Sequence, residues 1–209
     1  MDRLTLGIVI FDEVEVLDYC GPFEVFSTVR LDEATRRDSL SPFDVRLIAE
    51  KPGPVTTSGG MRVWPDHALA DCPRLDIVLV PGGWGTRREL ENPVLLAWIR
   101  ERAAEVRLLA SVCTGSLLLG KAGLLAGKRA TTHWKLLAWM AGLFPETEVV
   151  RDRHFVRDGS LWTSAGISAG IDMSLAIVAD LLGEPLARAT ARHMEYAYPE
   201  SDARRIELE

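Results

Sequence analysis

Short apolar runs alternate along this chain with stretches whose apolar residues recur at helical spacing, and glycine or acidic residues punctuate the joins. Residues 4–11, 75–80 and 108–112 are runs of this kind, apolar at nearly every position rather than every second one. That pattern belongs to strands covered on both faces, as in a parallel sheet. Phe43–Ala49 and residues 148–150 add two further strands. Helical patterns lie between them. One starts at Pro22, with the proline in its first turn and Phe23, Val25 and Phe26 behind it. Pro93–Glu105 carries Val94, Leu95, Trp98 and Ile99 at amphipathic spacing. Others open at Gly115-Ser116, after Thr132 as a cap, at Ile171 and at Pro185. Residues 55–63 read as a hairpin, and so do residues 155–163, which turn on Asp158-Gly159. The polar tract 30–42 reads as an exposed loop, residues 65–70 as a brief helical turn holding His67, residues 164–170 as small and flexible, and the stretch from Pro199 as a polar tail. Strand and helix alternating in this order call for an α/β fold with a mostly parallel central sheet between two helical layers, and 209 residues call for a single domain over 1–209.

Composition narrows the function classes. Hydrophobic content of 47% with 26% charged residues is ordinary for a globular protein. A net charge of −6 argues against a nucleic-acid surface, and the basic groups at Arg36-Arg37 and Arg151, Arg153 and Arg157 read as solvated faces. No apolar run approaches the roughly 20 residues that span a bilayer, and no basic leader precedes the first strand, so neither a membrane partner nor a signal peptide is expected. Three widely spaced cysteines fit a reducing cytoplasm better than a disulfide framework. No Cys/His spacing matches a zinc site, so the expected chemistry uses neither metal nor cofactor and acts on a small molecule.

The candidate chemistry centres on Cys113, at the corner where residues 108–112 run into the helix opening at Gly115. A strand–turn–helix corner exposes a nucleophile at a sheet edge, and the free N–H groups and dipole of the helix start favour a thiolate. A lone cysteine is also often a small buried hydrophobe, and the local pattern leaves both readings open. Asp18, expected in the loop after the first strand, is either a proton donor with a raised pKa or a capping residue. Pro81-Gly82-Gly83-Trp84-Gly85 follows another strand, so the N–H groups of Gly82 and Gly83 are candidates for holding developing negative charge, with Trp84 covering the site or anchoring the loop. His133 is a rival base or a structural hydrogen-bonding group, and Cys20 a pocket wall or a packing thiol. His67, His154 and His193 carry no motif and read as surface or loop residues, Cys72 reads as a packing or loop thiol, Glu24 as solvated, and Asp172 as a carboxylate placed by a helix dipole.

Asp18, "PGGWG", "SVCTGS" and "ATTHW", in this order, resemble the ThiJ/PfpI, or class I glutamine amidotransferase-like, superfamily over about residues 4–195. The runs "LDYCGPFEV", "SVCTGSLLLGKAGLLAGKRATTHW" and "TSAGISAGIDMSL" are similar to isonitrile hydratases and to the amidase-like N-terminal domain of AraC-type regulators. The resemblance implies a flavodoxin-like fold, a homodimer, and an elbow cysteine at Cys113 approached by the acid Asp18. Thr114 stands where protease-like members place a histidine. That departure points to the hydratase branch, whose implicated residues match Cys113, Thr114 and Asp18 here. The implied activity is hydration of an isonitrile to an N-substituted formamide through a cysteine thioimidate. The alternative is an amidase-like, redox-sensing or ligand-binding protein on the same scaffold.

Overall fold

The computed structural model describes residues 3–208. It begins with β1 (Leu4–Val9), α1 (Val16–Thr28) and β2 (Phe43–Ala49). A small antiparallel hairpin follows, β3 (Val55–Thr56) and β4 (Arg62–Val63), then the short β5 (His67–Ala68), β6 (Ile77–Val80), α2 (Thr86–Glu89) and α3 (Pro93–Glu105). Next come β7 (Leu108–Ser111), α4 (Gly115–Lys121), β8 (Arg129–Ala130), α5 (Leu137–Leu143) and β9 (Glu148–Val149). The chain closes with β10 (Phe155–Asp158), β11 (Leu161–Ser164), α6 (Ala169–Leu182) and α7 (Glu184–His193).

Seven strands form the main sheet in the order β10-β11-β7-β6-β1-β2-β5, parallel throughout except for the β10–β11 hairpin. Helices α1, α6 and α7 pack together on one face, and α2, α3 and α4 on the other. Leu6, Ile8, Ile77 and Leu79 are wholly buried between these layers, as their continuous apolarity requires, and Phe26 meets Phe43 edge-on at 4.9 Å between ring centres. From β1 the chain first builds outward to β2, then crosses back to β6 on the other side of β1. That reversal opens a crevice at the carboxyl ends of the strands, where α/β sheets place their sites. The α/β class, the parallel sheet and the Asp-Gly hairpin expected from the sequence are all present.

Several local expectations are corrected. Asp18 does not lie in a loop: α1 begins at Val16, so Asp18 sits in its first turn and Pro22 is inside the helix. Proline forfeits one intrahelical bond, here the one to the Asp18 carbonyl, and the surrounding packing absorbs that loss. Residues 65–70 are not a helical turn. Asp66 exchanges hydrogen bonds with Leu47, its carboxylate accepting the Leu47 N–H at 2.7 Å, and so pins His67 and Ala68 to the sheet edge as β5. Only then does a 3-10 turn form over Leu69–Asp71. Thr132 does not cap a helix. His133 accepts the Lys135 N–H in that role, and residues 134–136 form a 3-10 turn ahead of α5. Asp172 and His154 are both buried, the latter against expectation, and α2 was not foreseen.

Asn92 supports the start of α3. Its Oδ1 accepts the N–H groups of Val94 and Leu95, while its Nδ2 binds Glu50 at 2.6 Å and Glu89 at 2.7 Å. Asn92→Ala should therefore lower the unfolding free energy by about 1–2 kcal/mol, read as a lower urea midpoint with an unchanged slope.

Candidate active site

The elbow is built from backbone constraints before any side chain enters. Cys113 has φ of 56°, a left-handed conformation uncommon for a non-glycine residue. Its N–H is shared between the Ser164 and Ala165 carbonyls, each at 3.2 Å. Its own carbonyl accepts the hydroxyls of Thr132 at 2.9 Å and Ser116 at 3.1 Å. Strain of this kind persists where the surroundings over-determine it, and here β11, α4 and the 131–133 loop all do so. At Gly115 a side chain would overlap the carbonyl oxygens of Val80 and Pro81, so α4 can press against the end of β6 only because that residue is glycine.

The same compactness brings Asp18 to the sulfur. The Asp18 side chain is fully buried, and its Oδ2 accepts the Gly82 N–H at 3.0 Å. Oδ1 has no hydrogen-bond partner among the described residues, and the Cys113 thiol lies close enough that the two groups shift each other's ionisation. Burial pushes the Asp18 carboxyl up to about 8; the Gly82 N–H opposes the shift and nearby Glu15 adds to it. Burial likewise pushes the Cys113 thiol up, and the neighbouring Asp18 adds to the effect. The N–H groups of Thr114 and Ile167, which face the sulfur, pull the other way without prevailing. The helix start thus does not hold a standing thiolate, as the sequence pattern suggests it should. Desolvation of a residue only 6% exposed outweighs a single helix end, and the resting pair is neutral near pH 7.

The glycine loop does different work from that expected. The Gly82 N–H is taken by Asp18, and the Gly83 N–H donates to Thr114 Oγ1 at 3.0 Å. Neither N–H is free to hold a developing charge. The Thr114 hydroxyl also meets that of Thr86 at 2.8 Å, which ties the elbow to α2. The donors left facing the reacting centre are the backbone N–H groups of Thr114 and Ile167. Ile167 was not singled out in the sequence. Its signal was the run of small residues around it, and its φ of 44° marks it as strained in the structure.

Cys113 opens onto a cleft of about 260 Å³, bounded also by Gly83, Thr114, His133, Leu136 and Ile167, with Glu15, Trp84, Arg87 and Lys135 towards its mouth. Trp84 is 65% exposed and stacks under the Arg87 guanidinium at 4.8 Å, so it forms a wall rather than a buried anchor. His133 is half-buried, and a side chain on Gly166 would overlap its ring. Burial, followed by Lys135 and Arg204, lowers the His133 pKa, so the imidazole is neutral near pH 7. Cys20 lies on α1 outside the cleft lining, and all three cysteines are free thiols. His67 lies on the edge strand β5, and His193 is exposed at the end of α7.

Two measurements check these electrostatics. A carboxyl that stays protonated up to about 8, against 3.8 ordinarily, binds its proton more tightly in the folded chain. The stability this contributes is complete at acid pH and is lost as pH climbs towards the folded value. Asp18→Asn, which cannot ionise, should remove that decline, so its stability relative to wild type should rise between about pH 5 and about pH 8 in urea titrations. Alkylation of Cys113 by iodoacetamide should show a midpoint above the free-cysteine value of about 8.5, and a lower midpoint would contradict the buried neutral pair.

No helix among the described residues is long and apolar enough to cross a membrane. The chain is 42% identical over 196 residues to the isonitrile hydratase of Pseudomonas putida, covering 93% of this chain and 79% of that protein. It is 37% identical over 135 residues to the HTH-type transcriptional regulator CdhR of Pseudomonas aeruginosa, covering 65% of this chain but only 40% of the regulator. A solved structure of a ThiJ/PfpI family protein from Pseudomonas syringae superposes with a TM-score of 0.82 at 30% identity, over 97% of this chain and 79% of that one. The model of the DJ-1/PfpI family matches residues 5–180, and with the elbow, the sheet and these relatives in place, the chain belongs to the DJ-1/PfpI family.

Proposed function

We propose that this protein is a cysteine-dependent enzyme that adds water to an isonitrile, giving an N-substituted formamide. The observation that carries the reading is a protonated, buried Asp18 carboxyl beside the Cys113 thiol, with threonine rather than histidine at position 114. A neutral acid–thiol pair suits a substrate whose terminal carbon must receive both a sulfur and a proton. Identity of 42% with an isonitrile hydratase over most of the chain supports the same reaction.

In the first step Cys113 Sγ bonds to the isonitrile carbon while the Asp18 carboxyl delivers its proton to that carbon. The thiol proton returns to the carboxylate, so the balance is R–N≡C plus H–S giving R–N=CH–S. In the second step water adds to the thioimidate carbon, with Asp18 relaying its proton to nitrogen. The C–S bond then breaks to release R–NH–CHO and restore the thiol. The Thr114 and Ile167 N–H groups stabilise charge that gathers on sulfur and on the adding oxygen. Gly82 and Gly83 hold Asp18 and Thr114 in register, and neutral His133 is a hydrogen-bonding wall rather than the base. No metal or organic cofactor enters this scheme. In keeping with the family resemblance, we assign the active form as a homodimer, and the three widely spaced cysteines fit a reducing, cytoplasmic compartment. A peroxide sensor is the weaker reading, because oxidation favours an exposed thiolate and this thiol is buried with its pKa raised.

Direct detection of formamide from a panel of aliphatic and aromatic isonitriles tests the assignment. Cys113→Ala should yield none. Asp18→Asn should slow turnover by about 10²–10⁴ while the protein stays folded. Wild-type turnover should fall as pH rises through about 8, where Asp18 loses its proton. Full activity in either variant would refute the mechanism, and no formamide from any isonitrile would refute the substrate class.

A further inference from the structure

Asp172 lies fully buried in the first turn of α6 and has more partners than placement by a helix dipole requires. The Tyr196 hydroxyl donates to its Oδ1 at 2.9 Å. At Oδ2 the His154 Nε2 approaches to 2.8 Å and the Arg205 guanidinium to 3.0 Å. This cluster lies outside the cleft, yet it backs directly onto the elbow. The His154 carbonyl accepts the Ala165 N–H at 2.8 Å, and the Ala165 carbonyl accepts the Cys113 N–H at 3.2 Å.

The stretch 202–205 is laid across residues 151–154. Arg153 binds the Asp202 carboxylate at 2.9 Å, Arg153 and Ala203 form an antiparallel bridge, and the Arg204 N–H donates to the Asp152 carbonyl at 2.8 Å. From there the Arg204 side chain reaches Thr131 Oγ1 at 3.0 Å and the Thr132 carbonyl at 3.4 Å. Thr132 is the residue whose hydroxyl holds the Cys113 carbonyl, and His133 follows it. Arg205 goes to Asp172 instead. Between these anchors lies the least relaxed backbone of the site: Ile167 is β-branched, with φ of 44°. Such a residue keeps its conformation only where outside contacts impose it.

We propose that residues 202–205 form a positioning clamp on the Cys113 site. Arg205, acting through Asp172, fixes the segment that presents the Ile167 N–H. Arg204, acting through Thr131 and Thr132, fixes the segment that presents His133. Neither arginine lines the cleft, so both are positioning residues. Removing Arg205 leaves a buried carboxylate short of a cation, a loss the α6 start must absorb by moving. Because the Ile167 N–H favours the ionised sulfur, its withdrawal should make the thiol harder to ionise. The effect on turnover rests on the isonitrile reaction proposed above; the effect on the sulfur does not.

The test uses the full chain with Arg204→Ala, Arg205→Ala and Arg205→Lys, at a temperature where each is folded by circular dichroism. In both alanine variants kcat for an isonitrile should fall about tenfold while KM stays within about twofold. The pH midpoint of Cys113 alkylation by iodoacetamide should move upward in Arg205→Ala, which loosens the Ile167 segment. Arg205→Lys, which keeps the charge, should recover most of both effects. A variant with a lowered melting temperature but wild-type kcat and midpoint would overturn the clamp and leave the segment a stability element only. Should wild type hydrate no isonitrile, the Arg205→Ala midpoint alone decides: an upward shift upholds the clamp, and an unchanged midpoint overturns it.

Discussion

The contact between the Asp18 carboxyl and the Cys113 sulfur governs the rest of the site. Both groups are removed from water, so ionising either is costly, and two adjacent negative charges would be costlier still. The pair therefore rests with its protons on, and proton and sulfur are available together at one point. Much of the surrounding structure maintains that contact. The Gly82 N–H holds one carboxyl oxygen, and α1 starts early enough to bring Asp18 to that turn after β6. The elbow is tied through both its N–H and its carbonyl.

Strain sits on both sides of that contact. Cys113 and Ile167 are non-glycine residues with positive φ, each worth roughly 1–3 kcal/mol of backbone cost. The glycine loop after β6 makes close approach possible, but it spends its N–H groups on Asp18 and Thr114. Responsibility for a developing charge thereby passes to the N–H groups of Thr114 and Ile167, which come from two separate segments of the chain. Precise placement of a strained segment needs contacts beyond its own neighbours, and the buried Asp172 with Arg205, and Arg204 on Thr131 and Thr132, are such contacts from other parts of the chain.

The charge pattern of the cleft follows from the same desolvation. Near pH 7 Asp18 and Cys113 are protonated and His133 is neutral, so the interior carries no formal charge. Arg87 and Lys135 are exposed to solvent, which screens them, and Glu15 is half-buried among the lining residues. An uncharged floor and a charged rim suit a compact, neutral reacting group whose attached body extends outward. That is a different provision from the acyl-transfer sites in which a histidine beside the nucleophile draws off its proton.

Strands, helices and the corner at Cys113 were legible in the chain because burial on two faces, amphipathic spacing and turn residues are local properties. Phe43–Ala49 and Pro93–Glu105 have the same bounds in the structure as in the sequence pattern. Where local rules competed, the pattern misled. Pro22 looked like a helix start because proline belongs there, and residues 65–70 looked helical because the reach of Asp66 to Leu47 spans 19 positions. The identities of Asp18, Cys113 and Thr114 as neighbours came from motifs, but their protonation did not. A pKa depends on how much water remains and on which N–H groups are free, and groups distant in the chain decide both. The same holds for His154 and Asp172, which are 18 residues apart and carry no shared motif, yet meet at 2.8 Å. Periodicity and composition thus settled what the elements are. Only folding, by bringing distant polar atoms together out of water, settled which groups hold protons, which donors are spent and which segments hold the site in place.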